Sequence, residues 1–242
     1  MARHALSLTP AHVARVHRDL ADPGPLPGMM LLDDADYAAL GRDLLAQRED
    51  PDAPLRLFAY GSLIWKPEIA HERERPALAR GWHRSFCLKM RRFRGSPDQP
   101  GLMMALDLGG QCKGVLFDLP KDDPALQLGR ILRRECTTKP TVNTPRWLRV
   151  ETAGGPVQAL GFVMNRASPQ YTGRLDLPEV AKVLARACGH WGSGAEYLLN
   201  TVAGLQARGI RDSRLWQLQA MVAAEIERDA LTGTGAAPPD RG

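Results

Sequence analysis

The sequence predicts an α+β fold: a small, mainly antiparallel β-barrel or sheet with flanking helices, preceded by an N-terminal helical extension. Three observations point there. Two pairs of apolar runs are joined by glycine-rich spacers, GLMMALDL to KGVLFDLP through GGQC and RWLRVET to PVQALGFVMN through AGG, which read as hairpins. The last third holds three segments with a capping residue and a 3.6-residue apolar period. Hairpins followed by runs of helix, instead of strands alternating with helices, favour an antiparallel sheet over a parallel one.

In chain order, 5–21 reads as a helix with Thr9 as N-cap and Pro10 at its first position. DPGPLPG (22–28) breaks it. A second helix follows over roughly 34–48, capped by Asp33 or Asp34, with Leu40, Leu44 and Leu45 on one face. LRLFAY (55–60) is a short strand that ends abruptly at Gly61-Ser62, and WHRSFCLKM (82–90) alternates as a strand does. A helix over about 124–136 starts at Pro124 behind Asp122 or Asp123, and TTKPTVNTP reads as a loop. Helices then start at DLPEVAKVLARAC, SGAEYLLNTVAGLQARG and DSRLWQLQAMVAAEIERDAL, and the terminal TGTGAAPPDRG has no periodicity.

Composition narrows the function classes. The 242 residues carry 32 Lys and Arg against 27 Asp and Glu, a net charge of +5 that argues only weakly for a polyanionic partner. No apolar run reaches the roughly 18 residues of a membrane helix, and no secretory leader is legible, so the expected location is the cytoplasm. Cys87, Cys112, Cys136 and Cys188 form no CxxC pair and read as small buried hydrophobes. None of His4, His12, His17, His71, His83 and His190 sits in HExxH or beside a matched Cys, so no metal is expected. In KMRRFRG, Lys89, Arg91 and Arg92 read as a solvated strand end.

Three places are candidates for chemistry. Leu128, Ile131, Leu132 and Glu135 share one face of their helix, which sets a carboxylate at the end of an apolar stripe. Positions 131 and 132 offer it no ion-pair partner, and Arg130, Arg133 and Arg134 point mostly elsewhere. Such an acid lies either at a wet edge or in a cleft that raises its pKa. In FAYGSLIW, glycine at a strand end permits a turn that is either an ordinary reversal or an anion-binding nest of N–H groups. Neither GxxxxGK[ST] nor GxSxG is present. Arg94 opens the Gly/Pro-rich loop RGSPDQPG, where it is a forked donor for a carboxylate or a plain surface residue.

The order of these segments, FAYGSLIWKPEI, GWHRSFCL, RGSPDQPG, KGVLFDLP, a helix with RRE, SPQY and GAEYLL, resembles the ChaC-like γ-glutamylcyclotransferases from about 55 to about 225. The resemblance implies a γ-glutamylcyclotransferase-like domain over 55–230, between a helical extension over 1–54 and a disordered tail over 231–242. It implies cleavage of glutathione into 5-oxoproline and cysteinylglycine with no cofactor, and a small-molecule partner, not nucleic acid or membrane. It implies Glu135 as proton acceptor and Tyr60, Gly61, Ser62, Leu63, Ile64 and Trp65 as the substrate-binding segment. Arg94, Tyr171 and Tyr197 match positions that recur near the pocket of that family. One departure stands out: many relatives have a Tyr a few residues beyond the Glu, where this chain runs Cys136-Thr137-Thr138-Lys139-Pro140-Thr141-Val142. The alternatives are a cyclotransferase acting on another γ-glutamyl amine and, from a different class, a basic module gripping RNA. The latter calls for interleaved aromatics, and only Phe86 and Phe93 qualify.

Overall fold

A computed structural model describes residues 5–233. Thr9 caps α1 (Pro10–Val16), and β1 (Met30–Leu31) follows. Asp33 caps α2 (Asp34–Ala46). Next come β2 (Arg56–Ala59), β3 (Arg73–Met90), β4 (Gly101–Asp118) and α3 (Pro124–Glu135), the last capped by Asp123. The chain continues through β5 (Thr138–Lys139), β6 (Asn143–Thr152) and β7 (Gly155–Met164) to α4 (Leu177–Leu184). It ends with β8 (Cys188–Gly189), β9 (Gly192–Ser193), α5 (Gly194–Ala207) and α6 (Ser213–Thr232).

Five strands close a barrel in the order β2-β4-β3-β6-β7. Its ladders are antiparallel except where β7 meets β2 (Leu57 opposite Leu160) and β4 (Leu106 opposite Val163). Buried side chains such as Leu57, Phe58, Leu106, Leu116, Phe117, Leu160 and Phe162, from both faces of the barrel wall, share one core cluster with Leu128, Ile131 and Leu132 of α3 and Leu198, Val202 and Leu205 of α5. The four cysteines are free and buried. No described helix is long and apolar enough to cross a membrane.

Several expectations are corrected. GGQC does not reverse the chain: β4 runs straight through it, paired to β3 on both sides. Gly81 faces the Gly109-Gly110 pair, and all three have positive φ (78°, 102° and 68°), so the glycines bend two long strands at a bulge. The reversal lies instead in 91–100, between β3 and β4. β3 starts at Arg73, nine residues before the strand the alternation predicts. Its first half, RERPALARG, hides behind a proline, charges and small alanines. Pairing with β4 holds it, and β6 pairs only with Leu78 and Ala79, so the strand is unpaired on that side at Pro76.

The first helix stops at Val16, not 21: His17 is extended (ψ 136°), and the Arg18 guanidinium turns away to Gln99 and the Arg186 carbonyl. The segment read as a loop after α3 holds β5, which pairs with β1, and the first residues of β6. Arg92 is not solvated; it clamps Asp22 through Nε and Nη2 at 2.8 and 2.6 Å. Leu231 and Thr232, expected in the tail, still belong to α6. His4 and the rest of the expected tail from 234 onward lie outside the described residues.

In the barrel wall β2 lies close against β4. A Cβ on Gly114 would stand 2.5 Å from the Ala59 carbonyl oxygen and 2.7 Å from the Phe58 ring, both rigidly held. Gly114→Val is expected to lower stability by about 1–3 kcal/mol or more. Urea unfolding checks it; an unchanged midpoint would refute the close contact.

Candidate active site

Tyr60 and Gly61 leave the end of β2 and enter a 3₁₀ turn over Ser62–Ile64. Arg84, whose side chain is 2% exposed, holds this junction from behind. Its Nε donates to the Tyr60 carbonyl at 2.7 Å, another nitrogen donates to the Lys113 carbonyl, and Nη1 pairs with Asp212, the cap of α6, at 3.1 Å. The Tyr60 hydroxyl donates to the Phe162 carbonyl at 2.8 Å. In the turn, the Ile64 N–H bonds back to Gly61 and those of Trp65 and Lys66 to Ser62. The N–H groups of Ser62 and Leu63 precede that first bond. Gly61 is required by proximity: a Cβ there would stand 2.5 Å from the Tyr197 hydroxyl.

Tyr197, on α5, is fully buried, with Trp65 and Phe86 packed edge-on against its ring. Its hydroxyl meets Ser62 through both backbone and side chain. Burial pushes the phenol up to about 12; the Glu135 charge adds to this, while Arg94 and Ser62 oppose it. Arg94 lies over the Tyr197 and Trp65 rings at 5.4 and 5.8 Å. Its Nη1 donates to Glu196 Oε2 at 2.7 Å and to the Ser193 carbonyl at 2.9 Å. Arg94 is thus a buried residue of the site and not part of a surface loop.

Glu135 ends α3 with its side chain 15% exposed. Contrary to the sequence expectation, it has a local partner. Arg134 turns back and donates from Nε to Oε1 at 2.9 Å, while its other nitrogens reach the Pro67 carbonyl and Glu68. Burial is the largest influence on the carboxyl and raises its pKa; Arg134 pulls it down and Glu68 pushes it up, leaving it above the ordinary 4.5. The Glu135 charge also raises the pKa of both the Tyr60 and the Tyr197 phenol.

These groups line one cavity of about 490 Å³. Tyr60, Gly61, Ser62, Leu63, Trp65, Arg94, Glu135 and Tyr197 all face it. Two expected site residues do not. Ile64 points into the core, 1% exposed, and Tyr171 is held outside by Asp107 at 3.0 Å, which also pairs with Arg166. Sequence reasoning missed Met29, Phe93, Glu196, Trp191 and Asn143. Met29 lies far along the chain from the motifs, and Glu196 is marked only by its charge beside Tyr197. Asn143 stands beyond the run that lacks the family Tyr, and its buried amide oxygen meets no protein donor. Among the described residues, no group of three or more His, Cys, Asp or Glu could hold a metal ion.

Known proteins resemble this chain in sequence and in fold. The ChaC-like protein family matches residues 55–225. The chain is 34% identical over 172 residues to the glutathione-specific gamma-glutamylcyclotransferase of Escherichia coli K12, covering 71% of this chain and 73% of that one. It is 29% identical over 167 residues to the human glutathione-specific gamma-glutamylcyclotransferase 1, covering 66% and 73%. The crystal structure of a yeast gamma-glutamyl cyclotransferase specific to glutathione shares the fold, with a TM-score of 0.63 at 20% identity over 72% of this chain and 97% of that one.

The electrostatics carry a direct test. The Glu135 carboxyl is expected to titrate above 4.5, and Arg134→Gln to move it up further, since the guanidinium favours the charged form. Carboxyl-carbon NMR of both proteins reads this. A wild-type midpoint at or below the ordinary value, or an unmoved one in the variant, would contradict the environment described.

Proposed function

The chain belongs to the ChaC-like protein family, and we propose that it cleaves glutathione to 5-oxoproline and cysteinylglycine, with Glu135 moving the proton. The observation that carries this reading is a carboxyl of raised pKa in the same cavity as the 60–65 turn. The chemistry asks for little else. The substrate's α-amine attacks its own γ-carbonyl carbon, forming a C–N bond within a five-membered ring. Holding the ends together supplies roughly 7–11 kcal/mol of the barrier.

The α-amine is protonated in solution, so it must first lose a proton. Glu135, as carboxylate, accepts it. The Leu63 N–H, at the start of the turn, is suited to meet the oxyanion that develops as the amine adds. The Tyr197 hydroxyl, beside Ser62, strengthens that end of the cavity. Glu135 then returns that proton to the nitrogen of the leaving amine, accepts the second proton that the ring nitrogen sheds as it becomes an amide, and passes it to the amine as the old C–N bond breaks and cysteinylglycine departs. A carboxyl whose pKa burial lifts toward the working pH serves both steps. Arg94, with Nη1 given to Glu196, has the rest of its guanidinium to meet a substrate carboxylate beside the Trp65 and Tyr197 rings.

Incubation with reduced glutathione should release 5-oxoproline and cysteinylglycine. Glu135→Gln should lower kcat by about 10²–10⁴-fold in a protein that still folds and binds glutathione. Near-wild-type turnover by the folded variant would end the assignment of Glu135. In the wild type, kcat/KM should fall as pH falls through an ionisation above 4.5, because protonated Glu135 cannot accept the proton.

Arg94→Lys should raise KM more than it lowers kcat, since an ammonium cannot make the forked contact or replace the planar stacking. Unchanged steady-state constants would leave Arg94 as a partner of Glu196 alone.

A further inference from the structure

A segment outside the family match reaches the cavity. Residues 17–33 join α1 to α2 and are fastened at both ends. At one end Arg18 Nη2 donates to Gln99 Oε1 at 2.6 Å and to the Arg186 carbonyl at 2.7 Å, and Asp22 takes both Arg92 nitrogens. Arg92 lies over Phe93 at 4.9 Å, and Phe93 packs on Trp191 at 4.3 Å. At the other end β1 pairs with β5, Met30 opposite Lys139 and Leu31 opposite Thr138, and the Leu32 N–H donates to the Thr137 carbonyl at 3.2 Å.

These anchors stand on different walls of the cavity. Phe93 and Trp191 line it from the 91–100 reversal and the β8–β9 turn; Thr137 and Thr138 line it just beyond Glu135. Residues 22–31 therefore form a strap from one wall to the other. Pro23, Pro25 and Pro27 restrict its backbone. Asp22 Oδ1 accepts from the Gly24 N–H at 3.0 Å, and the Leu26 carbonyl accepts from the Met29 N–H at 3.0 Å. Among the strap's residues Met29 alone lines the cavity.

On the function proposed above, the γ-glutamyl end of the substrate occupies the 60–65 turn, Tyr197 and Glu135. Met29, Met90, Phe93 and Trp191 then remain for the leaving amine. They make a soft, polarisable wall suited to a thiol-bearing side chain. We propose that Met29, held by the strap, is a specificity residue that limits the size of the leaving amine. It admits the cysteinylglycine portion of unmodified glutathione and turns away glutathione carrying a bulky thioether on sulfur.

The test measures 5-oxoproline release by the full chain from glutathione, S-hexylglutathione and γ-glutamyl-alanine. Wild-type protein should strongly prefer glutathione to the S-hexyl thioether. Met29→Ala should raise the S-hexyl to glutathione ratio of kcat/KM by about tenfold, the scale of a few methylenes in an apolar pocket. It should raise KM for glutathione and leave γ-glutamyl-alanine, which has no group to reach Met29, unchanged. Asp22→Asn, which loosens the strap while keeping Met29, should shift the ratio the same way. Unchanged ratios in both folded variants, with Glu135→Gln inactive, would overturn the role of Met29 while the reaction stands. A wild-type protein that forms no 5-oxoproline from glutathione would overturn both.

Discussion

One buried guanidinium ties the cavity floor to the rest of the fold. Arg84 rises from β3 into the interior and is almost wholly shielded from solvent. An unpaired charge in such a place costs several kcal/mol, so each of its three nitrogens needs a partner. They are met by the Tyr60 carbonyl at the end of β2, the Lys113 carbonyl on β4 and Asp212 at the start of α6. Four elements are thereby fixed to one planar group. The backbone that turns at Gly61 is anchored through the Tyr60 carbonyl.

The same logic of shielding governs the other side of the cavity. Glu135 keeps a raised pKa although Arg134 touches it, because burial outweighs that one favourable contact. Its charge and those of Tyr60 and Tyr197 disfavour one another, so both phenols remain protonated through the neutral range. Among these three groups the Glu135 carboxyl ionises first as pH rises. The linkage to stability has a definite sign: its folded-state pKa lies above the unfolded value, so this group weakens the fold at higher pH. That penalty fades as pH falls through the raised pKa.

The N-terminal segment is part of the same construction. α2 packs on α3, the Tyr37 hydroxyl donates to the Cys136 carbonyl at 2.7 Å, and Asp34 pairs with Arg133 at 2.8 Å. These contacts grip the end of the helix that carries Glu135, while β1 grips the residues beyond it. The segment both braces the carboxyl and walls the cavity through Met29, which relates a region outside the family match to the residues within it.

Local signals alone located the helix caps Thr9, Asp176, Ser193 and Asp212 and narrowed two more to neighbouring pairs that include Asp33 and Asp123, because a capping side chain bonds to an N–H only a few residues on. Period also placed Glu135 on the apolar face of α3, and the order of the motifs placed the chain in its family. Other features needed partners distant in sequence. GGQC has turn composition, and only the pairing of Trp82 with Leu108 and Arg80 with Gln111 makes it a bulge inside a strand. RERPALARG has weak strand propensity and is a strand because β4 lies beside it. Arg94 reads as a loop residue until Glu196, far along the chain, buries it. Tyr171, which shares the family motif, is drawn out of the cavity by Asp107. The sequence alone thus determined the capped helices and the chemistry they carry, since caps and periods are local. Which side chains meet around one cavity was decided by the tertiary structure, because hydrogen bonds, burial and charge act through space between residues a hundred positions apart.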